Sequence, residues 1–178
     1  MKISPLLLMT LILILSAPAT VKAVDPPQDF YSIGNWHVYG DSPNYLDLGL
    51  GVFDVGSNNK NNLAGQLQLR IGKKLWFIGP AIGILGNLDG GYYAYGGIYA
   101  EIAWKNLVFT PVLAAGAYEE GAGKDLGGTF QFRTSLGVAY QFDNLSRFGL
   151  QIAHISNADL LDYNPGEEEI YLTFAWPF

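Results

Sequence analysis

The chain has 178 residues, room for one domain of ordinary size, with a formal net charge of −6 and no cysteine. The missing cysteines exclude thiol catalysis, disulfides and cysteine-based metal centres, and the acidic balance argues against nucleic acid, whose binding is dominated by basic charge. Charged residues are only 15% of the chain, against about 25% in soluble domains, while aromatics reach 14% and glycines number 22.

The first residues predict a secretory signal peptide over 1–23. Lys2 is the charged start, Pro5 to Leu15 the apolar core and Val21-Lys22-Ala23 the cleavage site, so the mature chain is expected to start at Val24. That segment holds two of the ten basic residues and no acidic one. The remainder therefore carries eight basic against sixteen acidic residues, a net charge of −8. No later segment has the roughly 18 consecutive apolar residues of a spanning helix. An exported, apolar, Gly-rich and aromatic chain without such a helix is expected to be a transmembrane β-barrel.

Residues 24–43, with prolines at both ends, are expected to be an N-terminal periplasmic tail without assigned secondary structure. Trp36 and Tyr39 in it suit either a membrane interface or packing against the barrel end. The barrel is expected over 44–178. Tyr45–Val55 opens it, with Leu46, Leu48, Leu50 and Val52 on one face. In Leu63–Gly72, Leu67, Leu69 and Ile71 alternate with Gln66, Gln68 and Arg70. Trp76–Gly86 is third, weakened by Pro80, and Tyr92–Trp104 is fourth. Leu107–Tyr118 is fifth, and Thr129–Phe142 is sixth, with Phe130, Phe132, Leu136 and Val138 opposing Gln131, Arg133 and Ser135. Two antiparallel strands within Ser146–Phe178 complete the set. The predicted fold is thus all-β, an eight-stranded antiparallel outer-membrane β-barrel. A periplasmic β-sandwich is the alternative; it explains less well the Gln and Arg residues in mid-strand.

Loop lengths support the barrel. The connections near Lys73-Lys74, Lys105-Asn106 and Asp143–Ser146 are short. Those over Gly56–Asn62, Asn87–Gly91, Glu119–Gly128 and Asn157–Glu167 are longer and more polar. Short turns on the periplasmic side and long loops outside is the pattern of outer-membrane barrels.

The last two strands break the apolar pattern. Phe148, Leu150 and Ile152 share a face, and His154 and Ser156 continue it. Counting back from Phe178, the face of Trp176, Phe174, Leu172 and Ile170 arrives at Glu168. The topology brings all three polar residues to one height near the outer-leaflet end of the outer wall. A serine, a histidine and a carboxylate there fit an esterase: Ser156 as nucleophile, His154 as general base and Glu168 orienting the imidazole. Asn157 and Asn164 are oxyanion-hole candidates. Glu167, Glu169, Asp159 and Asp162 are rival carboxylates, and Pro165 or a bulge would change the parity that selects Glu168. His37 has no such setting and reads as structural. A nucleophile on the outside of a barrel meets only what lies in the membrane, so the expected substrate is an outer-leaflet lipid ester.

The stretch H-I-S-N-A, then N-P-G-E-E after a short loop, resembles the lipid A 3-O-deacylase (PagL) family of outer-membrane esterases. The specific resemblance covers about the last thirty residues. It implies His154, Ser156 and Glu168 as the triad, Asn164 ahead of Asn157 as the oxyanion donor, and no metal or other cofactor. The implied reaction is hydrolysis of the ester-linked 3-O-acyl chain of lipid A. The expected partners are lipopolysaccharide and the surrounding outer-membrane lipids, with a homodimer compatible with the fold. The rival expectation is a non-catalytic structural or adhesive barrel whose loops carry its function; a third is an acyltransferase using the same acyl-enzyme, which differs only in taking another lipid and not water as acceptor.

Overall fold

The structure is a computed structural model that describes residues 24–55 and 62–178. The expected signal peptide and most of the loop after the first barrel strand lie outside the described residues. The strands are β1 (Asp29–Ile33), β2 (Trp36–Tyr39), β3 (Tyr45–Phe53), β4 (Asn62–Arg70), β5 (Gly79–Asn87), β6 (Tyr92–Tyr99), β7 (Ile102–Trp104), β8 (Leu107–Glu119), β9 (Phe130–Gln141), β10 (Arg147–Ser156) and β11 (Glu167–Pro177).

All pairings are antiparallel. The ladder runs β6-β5-β4-β3-β11-β10-β9, and β8 pairs with both β6 and β9, which closes the sheet on itself. The barrel has eight staves because β6 and β7 form one interrupted strand, the expected Tyr92–Trp104. The interruption has a simple cause. Ala100 donates its N–H to the Pro111 carbonyl at 3.2 Å, and proline has no N–H to return. The stagger can be read from the ladder. The row through Leu48 reaches the fourth stave at Ala94 by way of Leu67 and Ile84, and at Trp104 by way of Phe174, Phe148, Tyr140 and Leu107. That ten-residue offset, from 94 to 104, is the shear that tilts the staves.

The pleat sorts side chains as the alternation predicts. Leu48, Leu50, Leu67, Ile82, Ile98, Leu136, Leu150, Ile152 and Leu172 are exposed on the wall. Arg70, Arg133, Arg147, Glu101, Glu169, Gln66, Gln68 and Gln151 are buried in the lumen. A closed sheet that is apolar outside and polar inside leaves no backbone edge unpaired within a bilayer, so it crosses a membrane with strands. The lumen is filled. Glu101 receives Lys74 at 2.7 Å and Arg70 at 3.5 Å and also contacts Arg147, while Arg70 reaches Asp47 at 3.2 Å. Nearer the other end, Arg133 Nε donates to Glu169 at 2.8 Å and its Nη2 to Gln66 at 3.0 Å. The Tyr171 hydroxyl donates to Glu169 at 2.9 Å.

Two segments differ from expectation. The third strand begins at Gly79, not Trp76, because Trp76 adopts a positive φ of 59° in a tight turn closed by the Leu75–Ile78 bridge. The segment 24–43 is not without structure. It contains the β1–β2 hairpin, turned at Gly34 (φ 59°), and β2 pairs with β7.

Candidate active site

β10 and β11 run antiparallel with His154 directly opposite Glu168, and β9 places Thr134 on the other side of His154. All three side chains point outward. The His154 Nδ1 lies 3.3 Å from Glu168 Oε1, with the side chains 50% and 55% exposed. Ser156 ends β10 on the same face, two residues beyond His154, opposite Phe132. The His–Glu contact follows from the ladder: directly opposed residues hold their Cβ atoms about 5 Å apart, within reach of an imidazole and a glutamate.

The neighbouring carboxylates are placed elsewhere by the same pleat. Glu167 and Glu169 point into the lumen and are fully buried. Glu169 is taken by Arg133 and Tyr171, and Glu167 accepts the Asp54 N–H at 3.0 Å. Asp159 accepts from the Asn164 amide at 2.8 Å, on the exposed loop that also carries Asp162. No bulge interrupts the register between Arg147 and Ile155, so the parity that leads to Glu168 is kept.

After Ser156 the chain reverses tightly. Leu160 N–H bonds to the Asn157 carbonyl at 3.1 Å, with Ala158 and Asp159 both left-handed at φ 54° and 58°. Such conformations cost non-glycine residues roughly 1–2 kcal/mol each. The loop is held from inside. Asn157 is buried, and its amide donates to the carbonyls of Leu126 (3.1 Å) and Tyr163 (2.7 Å). Its backbone N–H bonds to Asn164 Oδ1 at 3.0 Å. Both asparagines thus shape the loop beside Ser156. The Asn157 side chain is committed to it inside the barrel end, whereas Asn164 is only half-buried.

Two contributors escaped the sequence reading. Gly166, at φ 61°, packs on the imidazole: a Cβ there would come within 2.9 Å of His154 Cε1. Its signal was only a Pro-Gly in a loop. Thr134 interrupts the apolar run Phe130, Phe132, Leu136, and a polar residue among the outward apolar ones of β9 was the signal for it. Beside the His–Glu pair an open groove of about 710 Å³ descends the wall, floored by Pro111, Leu136, Ile152 and Ile170, which form one ladder row. Elsewhere, His37 pairs with Asp29 at 2.8 Å, far along the chain from this face. Among the described residues no group of three His, Asp or Glu side chains is placed to hold a metal ion.

Comparison with known proteins agrees with this architecture. Lipid A deacylase PagL of Bordetella bronchiseptica (strain ATCC BAA-588 / NCTC 13252 / RB50) is 35% identical over 57 residues, an alignment spanning 32% of this chain and 32% of that protein. The crystal structure of the outer membrane enzyme PagL superposes with a TM-score of 0.61 at 19% sequence identity, covering 75% of this chain and 99% of that one, which shows a shared barrel fold. The model of the lipid A 3-O-deacylase (PagL) family matches residues 35–177, and the chain belongs to that family.

Proposed function

We propose that this protein is an outer-membrane serine esterase that removes the ester-linked 3-O-acyl chain of lipid A. The observation that carries the reading is the outward row of His154 and Glu168, 3.3 Å apart, with Ser156 on the same face and an aliphatic groove beside them. Water-soluble esters have no reason to meet this surface; a lipid whose acyl chains lie along the wall does.

The chemistry follows from roles. Ser156 Oγ attacks the ester carbonyl as His154 takes its proton, and Glu168 holds the imidazole by its Nδ1 side and stabilises the imidazolium. The tetrahedral oxyanion needs donors, and the Asn164 amide is the favoured side chain for that role. Collapse breaks the ester C–O bond, and His154 gives its proton to the departing sugar 3-oxygen, which leaves as the hydroxyl. Water, deprotonated by His154, then attacks the acyl-Ser156 ester, releasing the fatty acid and restoring the serine. Pro111, Leu136, Ile152 and Ile170 would hold the scissile chain against the wall, giving the effective-concentration gain of a positioned reactant.

A fluorophosphonate probe tests the nucleophile. Peptide mapping should place the adduct on Ser156 in wild-type protein and find none in His154→Ala. An adduct elsewhere, or equal labelling of the His154 variant, removes Ser156 from the role.

A further inference from the structure

The β1–β2 hairpin adds to the barrel at a place a simple eight-stave wall would not need, and β1 lies outside the segment that matches the family. Its two faces are chemically distinct. Ladder partners share a face, so Trp36, paired with Trp104, and Val38, paired with Ile102, point the same way as the wall, followed on β1 by Ile33 and Tyr31. Ser32, His37 and Asp29 occupy the opposite face, with His37 bonded to Asp29.

The apolar face continues the lipid-facing wall. One ladder row runs Trp36, Trp104, Leu107, Tyr140, Phe148, Phe174, Leu48; the next runs Val38, Ile102, Phe109, Val138, Leu150, Leu172, Leu50. The Trp36 ring lies 6.3 Å from that of Trp104 and 6.1 Å from that of Phe109. Because the staves tilt, the rows descend toward the short-turn end as they pass from mid-strand Leu48 to Trp104, the last residue of β7. The hairpin therefore lies at the periplasmic rim. There Lys105 sits over the Trp104 ring at 4.9 Å, an amphipathic pair suited to a headgroup layer. Ile33 and Tyr31 stay 64% and 58% exposed, although they share the face of residues that lipid covers.

We propose that the β1–β2 hairpin is an interfacial shoulder that lies on the phospholipid of the inner leaflet, with Tyr31, Ile33 and Trp36 in the headgroup–acyl boundary and Asp29, Ser32 and His37 facing the periplasm. The competing occupant is a second chain paired to the open edge of β1. That edge is poorly suited to pairing: it is short, Pro26 and Pro27 precede it, and a bulge at Phe30 disrupts its register.

The absence of native cysteine allows a clean test. Ile33→Cys and Ser32→Cys, each spin-labelled in the full mature chain, are reconstituted in phosphatidylethanolamine/phosphatidylglycerol vesicles and probed with oxygen and a nickel chelate. The Ile33 label should show a several-fold higher oxygen-to-nickel collision ratio than the Ser32 label. Equal ratios overturn the proposal, and so does dipolar broadening at Ile33, which would place a second copy there. Should a labelled variant fail to insert, the unlabelled protein gives the same answer: quenching of tryptophan by brominated phospholipid should fall in Trp36→Phe, and unchanged quenching refutes the shoulder. Neither readout depends on esterase activity.

Discussion

Glu168→Gln isolates the acid of the proposed triad without altering its size. The glutamate touches His154 at 3.3 Å, but both side chains are about half exposed. Two unit charges at that distance interact by roughly 1 kcal/mol in bulk water and about 5 kcal/mol at an effective dielectric of 20. Solvent screening holds exposed pairs near 1 kcal/mol or less, while a bound lipid covering the row moves the site toward the stronger limit. An intermediate loss of about 1.5–3 kcal/mol in the transition state corresponds to a fall of roughly 10- to 100-fold in kcat. KM should barely change, because the carboxylate acts on the imidazolium formed during reaction. The assay is release of hydroxy fatty acid from lipid A in mixed micelles, with single-turnover rates to separate chemistry from product release. Wild-type kcat in Glu168→Gln, together with a large loss in Asp159→Asn or Asp162→Asn, would refute the parity argument that selects Glu168.

Gly166→Ala should lower kcat by about tenfold or more while the barrel still shifts on heating in electrophoresis, since the new Cβ meets His154 Cε1 at 2.9 Å and sits at a φ of 61°. Leu136→Trp should fill part of the groove beside His154 and raise KM for long acyl chains more than for short ones, read from competition between lipid A species. Glu101→Gln leaves Lys74, Arg70 and Arg147 facing one another in the lumen without their shared carboxylate; it should cost about 3–5 kcal/mol in urea unfolding from bilayers, as does breaking a buried pair. The Asp41 carboxyl is held below its ordinary range by the Lys73 ammonium and the Lys74 backbone N–H. A folded-state value below the unfolded one means that this tether contributes above the unfolded value and is lost as pH falls through the folded one. Acidification should therefore loosen the adjoining rim, as read by amide exchange, and Asp41→Asn should abolish that pH dependence.

The wall and its parity were legible in the sequence because lipid outside and a polar lumen inside impose a period of two that no residue from Leu46 to Leu50 or Phe148 to Ile152 violates. The same period made His154 and Glu168 stand out, and the structure places them opposite one another. What escaped notice lacked that period. The hairpin has strands of five and four residues and a bulge at Phe30, too short and irregular for alternation to register. β5 starts at Gly79 and not at the expected Trp76 because the left-handed conformation of Trp76 leaves no mark in the composition. Lys74, read as part of a short turn, instead reaches back to Glu101 in the lumen. Asn157 carried a motif signal that did not distinguish a donor facing substrate from an amide holding a loop; its burial and its bonds to Leu126 and Tyr163 favour the second use.

The proposal that Ser156 cleaves lipid A on the outer wall is tested most directly by the mass spectrum of lipid A from cells expressing the protein. Wild-type protein should produce a species lighter by one hydroxyacyl chain, and Ser156→Ala, inserted to the same level, should leave lipid A intact. The same mass loss with Ser156→Ala, or none with well-inserted wild-type protein, would contradict the account.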